Sequence, residues 1–112
     1  MVVVSKILLG LGLCWMFITQ NVQAAGSVSE GYVEHLLFYK GHTGLLIKHQ
    51  YPSDPDNCGR QDYYILPNDH PHFSQIYSML LAVQLANKKV SFHIDGCHQG
   101  LPAIVHVGLA KQ

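Results

Sequence analysis

Tryptophan, cysteine and charge are all scarce in this chain, and each scarcity narrows what it does. The single tryptophan, Trp15, falls in an N-terminal apolar stretch, so a domain built after that stretch has no indole to offer as a stacking platform. This weakens a sugar-binding reading and leaves it to the tyrosines. The three cysteines include no C-x-x-C pair, which removes zinc-ribbon and thioredoxin-like frameworks. Charged residues are 12% of the chain. Beyond residue 24, the cations Lys40, Lys48, Arg60, Lys88, Lys89 and Lys111 face the anions Glu30, Glu34, Asp54, Asp56, Asp62, Asp69 and Asp95, one fewer positive group than negative. No basic face wide enough to neutralise several phosphates results, so nucleic acid is not an expected partner. Near-neutrality favours self-association over repulsion. No serine lies in a G-x-S-x-G context, and the carboxylates fall mostly in turns, so no catalytic arrangement is expected.

What is present begins with an address. Residues 1–24 have the layout of a signal peptide: Lys6 as the positive region, an apolar run from Ile7 to Ile18, and Val22-Gln23-Ala24 as a small-residue cleavage site. The run is shorter than the roughly 20 residues of a membrane span, and no second hydrophobic segment follows. Cys14 is preceded by Leu13 where a lipoprotein signal needs a small residue. The expectation is a secreted or periplasmic product, cut after Ala24, with no membrane span and a single small domain over 25–112. A domain of that size buries only about 60 to 65% of its unfolded surface, so a covalent staple would help. Cys58 and Cys97 are the two cysteines beyond the leader, and an even count in an oxidising compartment reads as one disulfide. In the chain-entropy view it contributes roughly 3 to 4 kcal/mol. Two free thiols, or half of a metal site, are the alternatives.

The stretch around which the rest is arranged runs from Phe73 to Cys97. Phe73, Ile76, Tyr77, Leu80, Leu81 and Gln84 follow the 3.6-residue period of one helix face. After Lys89 the period drops to two, with Val90, Phe92 and Ile94 on one side and Ser91, His93 and Asp95 on the other, as in a sheet with one face on a core. Asp69 is the expected N-cap, with Pro71 in the first turn, and Asn87 suits a left-handed C-cap. Ahead of the helix, residues 25–31 read as a mobile polar lead-in. Tyr32 to Lys40, Leu45 to Tyr51 and Gln61 to Leu66 read as strands, separated by the glycine-bounded turn 41–44 and the proline-rich loop 52–57. Lys89 to Ile94 and Ala103 to Leu109 read as the last two strands, joined by a turn over Asp95 to Gly100. The expected fold is mostly β with one helix, in the order β-β-β-α-β-β. That order fits a five-stranded OB-like Greek-key barrel, and it also fits an open five-stranded sheet with the helix on one face.

The helix and following strand, IYSMLLAVQLANKKVSFHIDGC, and especially Tyr77 to Asn87 followed by Lys89-Val90-Ser91-Phe92, resemble the corresponding part of small secreted OB-fold proteins of Gram-negative bacteria. That group contains the B subunits of AB5 toxins of the pertussis-like and subtilase-cytotoxin-like kinds. The similarity covers the C-terminal half. The cysteines differ, because in those subunits both are expected before the helix, whereas Cys97 follows it; the stretch DGCHQGLPAIVHVGL is instead similar to that of uncharacterised small exported proteins. The resemblance implies a non-enzymatic binding module that self-associates, with a glycan or a protein as ligand.

Among individual residues, Tyr32, Tyr63, Tyr64 and His98 are the candidate ligand contacts, tyrosines serving as amphipathic platforms with their hydroxyls at a rim. An alternative reading as a periplasmic metal-binding protein uses the turn histidines His70 and His72, with His98 or Asp69, since imidazoles suit zinc or copper. The strand histidines His35, His49, His93 and His106 are expected to be half-buried. Ser91, His93 and Asp95 share one strand face, but residues two apart on a strand lie roughly 7 Å apart, too far for a relay. No cofactor is implied.

Overall fold

The computed structural model describes residues 25–111. The leader expected over residues 1–24 lies outside the described residues. Five strands and one helix follow in order: β1 (Gly26–Phe38), β2 (Gly44–His49), β3 (Tyr64–Pro67), α1 (Phe73–Ala86), β4 (Lys89–His98) and β5 (Leu101–Gly108). The strands hydrogen-bond in the order β1-β2-β3-β5-β4, and β4 returns to β1, so the sheet closes on itself. All neighbours are antiparallel except β3 and β5, which run parallel through the pair Ile65 and Ala103.

Closure depends on β1, which is long enough to serve two partners. Its first half pairs with β4, from Gly26 opposite Ile94 to Tyr32 opposite Lys89, and its second half pairs with β2, from Val33 opposite His49 to Phe38 opposite Leu45. The lead-in expected to be mobile is therefore strand. Its small polar residues hide the alternation that would mark it, and what holds it is pairing with β4 together with burial of Val28. A register shift between Val33 and His35 also breaks the strict alternation expected along Tyr32 to Lys40. Val33 and Leu36, three apart, both meet the main core, while Leu37 packs on a second cluster.

The main core fills the inside of the closed sheet. Leu45, Ile47, Tyr64, Leu66, Val90, Phe92, Ile94 and Ile104 enter it from the strands, and Ile76, Leu80 and Val83 from α1. The alternation of β4 is thus as its sequence implies, with Ser91 and His93 half-buried and Asp95 exposed. The helix face is rotated slightly from expectation: Val83 is buried, whereas Leu81 is exposed. Leu46, Ile65, Leu101 and Ala103 form the second cluster on the opposite side of the same strands, so β2, β3 and β5 are apolar on both faces.

The ends of α1 divide. Asn87 takes the left-handed conformation (φ 57°, ψ 48°), and the Lys88 amide donates to the Val83 carbonyl at 2.9 Å, which closes the C-terminus as expected. The N-cap is His72 rather than Asp69, with no side-chain capping bond. The chain first makes a turn from Pro67 to His70, and the His70 ring accepts the His72 amide through Nδ1 at 2.9 Å, so Pro71 precedes the helix. The expected turn over Asp95 to Gly100 is narrower than its glycines suggest. β4 continues to His98 through a register shift between Ile94 and Cys97, and the turn is the pair Gln99 and Gly100, both with positive φ (51° and 81°), as a tight hairpin requires.

One histidine sits inside this core. His49 is only 3% exposed and packs its ring 4.8 Å from that of Phe92. Its Nδ1 accepts the Tyr51 amide at 3.0 Å, and its Nε2 lies 2.9 Å from the Val90 carbonyl. An amide can only donate and a carbonyl only accept, so Nε2 carries the proton and Nδ1 has none. This corrects the half-buried position expected for it. Burial, outweighing the Val90 carbonyl and the charge of Glu34, holds its pKa below the ordinary imidazole value. The ring has room because residue 31 is glycine: a Cβ there would stand 2.7 Å from His49 Cε1 and 2.9 Å from Tyr51 Cδ2.

Two predictions follow from this centre. Because the folded state keeps His49 neutral while the unfolded chain protonates it, its contribution to stability is complete above the unfolded imidazole value of about 6.5 and is lost as pH falls below it. Urea midpoints should drop between about pH 7.5 and 5, and His49→Gln should drop less over the same window; parallel profiles would show that His49 is not the titrating group. Gly31→Ala should destabilise by roughly 1 to 3 kcal/mol through overpacking, read from the same urea curves.

Candidate ligand-binding hollow

Two turns meet at the surface beside the second cluster and fix each other. The Thr43 amide donates to Gln99 Oε1 at 2.7 Å, and Gln99 Nε2 donates back to the Gly41 carbonyl at 3.1 Å. Thr43 Oγ1 donates to Gln99 Oε1 at 3.3 Å and is 2.7 Å from His98 Nε2. The β1–β2 connection is thereby tied to the β4–β5 hairpin by side chains that belong to both.

A third segment, the long connection from β2 to β3, is pinned nearby. Cys58 and Cys97 form a disulfide with Cα atoms 5.7 Å apart, the pairing the cysteine count implies. Asp54 accepts the amides of Cys58 (2.7 Å) and Gly59 (2.9 Å), and Asp56 accepts the Gly96 amide at 2.5 Å. Asp54 thus bends the loop from within, as expected, whereas Asp56 also fastens it to β4.

Between these segments lies a hollow of about 260 Å³, floored by Leu37 and Leu46 and walled by Tyr39, His42, Arg60 and Tyr63. Two of its polar side chains, Tyr63 and Arg60, are held in place. The Tyr63 hydroxyl is 2.7 Å from His35 Nδ1. Arg60 donates to both oxygens of Asp62, Nε at 3.0 Å and Nη2 at 2.6 Å, a planar two-bond pair open to solvent. The Arg60 side-chain bond holds the Asp62 carboxyl below the usual carboxylate range, and Asp62 in turn raises Arg60. Tyr39 is 57% exposed, with its ring 5.8 Å from that of His42.

The residues singled out in the sequence divide among several places. Tyr63 lines the hollow, and His98 braces it through Thr43. Tyr64 is buried in the main core, where its hydroxyl donates to the Tyr51 carbonyl at 2.6 Å and burial pushes its pKa up to about 12; no ligand reaches it. Tyr32 stands apart on β1, with Lys89 Nζ 5.6 Å from its ring centre. Arg60 and Asp62 lie outside the contacts that the sequence suggests, and their place as Arg60-Gln61-Asp62 shortly after a proline-rich loop is the available signal for them.

The metal reading finds no converging set. His70 Nε2 lies 2.9 Å from the Val105 carbonyl while its Nδ1 takes the His72 amide, so both nitrogens face backbone groups. His98 is engaged with Thr43. Among the described residues, no group of three or more histidine, cysteine or acidic side chains is arranged to hold a metal ion. On β4, Ser91 donates to the Gly108 carbonyl at 3.3 Å and His93 lies 3.4 Å from Ser27 Oγ, so the two turn to different partners. Comparison with family models, with curated proteins and with solved structures finds no match to this chain. Among the described residues, no helix is long and apolar enough to cross a membrane.

The disulfide is the strongest tie between the loop that carries Arg60 and Asp62 and the rest of the fold. With the cysteines 39 positions apart in sequence, the double variant Cys58→Ser and Cys97→Ser should lose roughly 3 to 4 kcal/mol of unfolding free energy relative to the oxidised protein. Equal urea midpoints for the two proteins would show that the Asp56 bond to Gly96 holds the loop without the disulfide.

Proposed function

We propose that this chain is an exported, non-enzymatic binding module of OB-like architecture and that the hollow between its turns takes a glycan. Export is argued from the leader pattern of residues 1–24. The architecture is argued from the order of the ladder: β1-β2-β3-β5-β4 with a parallel β3–β5 contact and the helix between β3 and β4 is the five-stranded Greek-key arrangement, whose connecting loops bind oligosaccharides and oligonucleotides in other proteins. The near-neutral charge disfavours the second of those ligands. It also suits self-association of the kind that the resemblance to toxin B subunits implies.

The observation that carries the glycan reading is the pairing of Tyr39 and Tyr63 over an apolar floor with the planar Arg60–Asp62 pair at the rim. Sugar rings present apolar C–H faces and a fringe of hydroxyls that both donate and accept. Aromatic faces meet the first, and a guanidinium beside a carboxylate meets the second. A small pocket with an apolar lining and a few fixed polar groups is the usual form of such a site.

The test is a glycan array probed with the oxidised, leader-free protein. We expect a restricted set of glycans to bind, and both Tyr39→Ala and Tyr63→Ala to weaken those hits at least about tenfold, as loss of an aromatic contact does. A protein that binds no glycan on the array, or whose hits are indifferent to both substitutions, does not work this way.

A further inference from the structure

The hollow does not end at Tyr39 and His42. The same two residues also line a second hollow, of about 370 Å³, together with Phe38, Lys40, Asn68 and Phe73. The β1–β2 connection is therefore a ridge with a recess on each flank, and the ridge is held still by Thr43, Gln99 and the Gly41 carbonyl. Taken alone, the first recess falls below the roughly 300 to 1,000 Å³ of typical ligand sites, while the two together lie well within that range.

The ridge also holds an unmet demand. His42 Nδ1 is the one buried side-chain nitrogen or oxygen among the described residues that has no hydrogen-bond partner. Buried polar atoms are nearly always paired, so an exception calls for a reason. His35 is matched to Tyr63, His49 and His70 to backbone groups, and His98 to Thr43. The unmatched imidazole is the one that both recesses share.

We infer that the two recesses are successive subsites of one groove and that the ligand is an oligosaccharide of at least two rings laid across the ridge. The inference rests on the glycan reading of the first recess. One ring lies between Tyr39 and Tyr63, and the next lies in the recess of Asn68, Lys40 and Phe73. The linkage between them passes over His42, whose ring turns to give Nδ1 a partner. A sugar hydroxyl suits that position because it pairs with imidazole in either tautomer, donating to a bare nitrogen or accepting from a protonated one. Asn68 and Lys40 supply an amide and an ammonium for the hydroxyls of the second ring.

Chain-length dependence tests the groove. Calorimetric titrations of the oxidised protein would use neutral hexoses, N-acetylhexosamines and acidic sugars as monosaccharides, beside the di- to tetrasaccharides built from them. The best oligosaccharide should bind at least about tenfold more tightly than its own terminal monosaccharide, and Asn68→Ala and Lys40→Ala should each shrink that ratio. Two variants, each checked for native circular dichroism, protect the test against one that misfolds. A ratio near one in the unsubstituted protein, or a ratio that both variants leave intact, overturns the groove while leaving the glycan reading in place. No binding of any sugar at any length overturns both.

Discussion

The fold turns on a crossing at Gly31. There β1 passes between β2 on one side and β4 on the other, changing partners within a few residues, and the His49 ring reaches from β2 past that glycine to the Val90 carbonyl on β4. One hydrogen bond therefore joins the two strands that β1 separates, on the inside of the closed sheet. A methyl group at residue 31 would occupy the space the ring needs, and a charged ring would present a proton to the Tyr51 amide instead of a lone pair. The aromatic packing around it follows from the same placement: Phe92 and Tyr64 meet edge to face at 5.4 Å, and the Tyr64 hydroxyl returns to the Tyr51 carbonyl. Tyr51 thus both donates to His49 and accepts from Tyr64, which anchors the start of the long connection that supplies one wall of the hollow.

From that anchor the connection runs to a second one at Cys58 and Asp56, both joined to β4 near residues 96 and 97. Between the second anchor and β3 lie Arg60 and Asp62, whose mutual pairing fixes a polar edge in a segment with no ladder of its own. A site built on loops is usually less rigid than one built on strands. This one compensates by covalent and side-chain ties at each end, and by interlocking the Thr43 turn with the Gln99 turn.

How much of this could be read beforehand depended on whether the signal was local. The helix and β4 were legible because their periods are carried by neighbours in sequence, and Asn87 announced its own left-handed cap. The disulfide was legible from the even count of cysteines beyond the expected leader. The first half of β1 was not legible, because Ser27, Ser29 and Gly31 acquire strand geometry only from β4, some sixty residues away. Gly96 was misread for a related reason: a glycine inside a bulge and a glycine inside a turn look alike until the partner strand is known. The hollow was half legible. Tyr63 and His98 were singled out, but Tyr64, beside Tyr63 in sequence, points to the opposite face, and the alternation that separates them could be assigned an inside only once the sheet closed.

The eight histidines show why composition misleads here. Their number suggests metal binding, yet His49 and His70 spend both ring nitrogens on backbone groups, each taking a nearby amide at Nδ1 and meeting a distant carbonyl with Nε2. In a chain with few charges, neutral imidazole serves as a bridge that both donates and accepts, linking strands and turns that the ladder leaves unjoined. His35 and His98 each engage one ring nitrogen with a hydroxyl at the rim of the hollow. A ring engaged at both nitrogens, as those of His49 and His70 are, has no lone pair left to converge on a metal ion with others. His42 is the departure from the pattern: its Nδ1 is buried without a partner, and the residue lines both recesses. Where other histidines complete the structure from within, this one leaves the demand that the proposed ligand would meet.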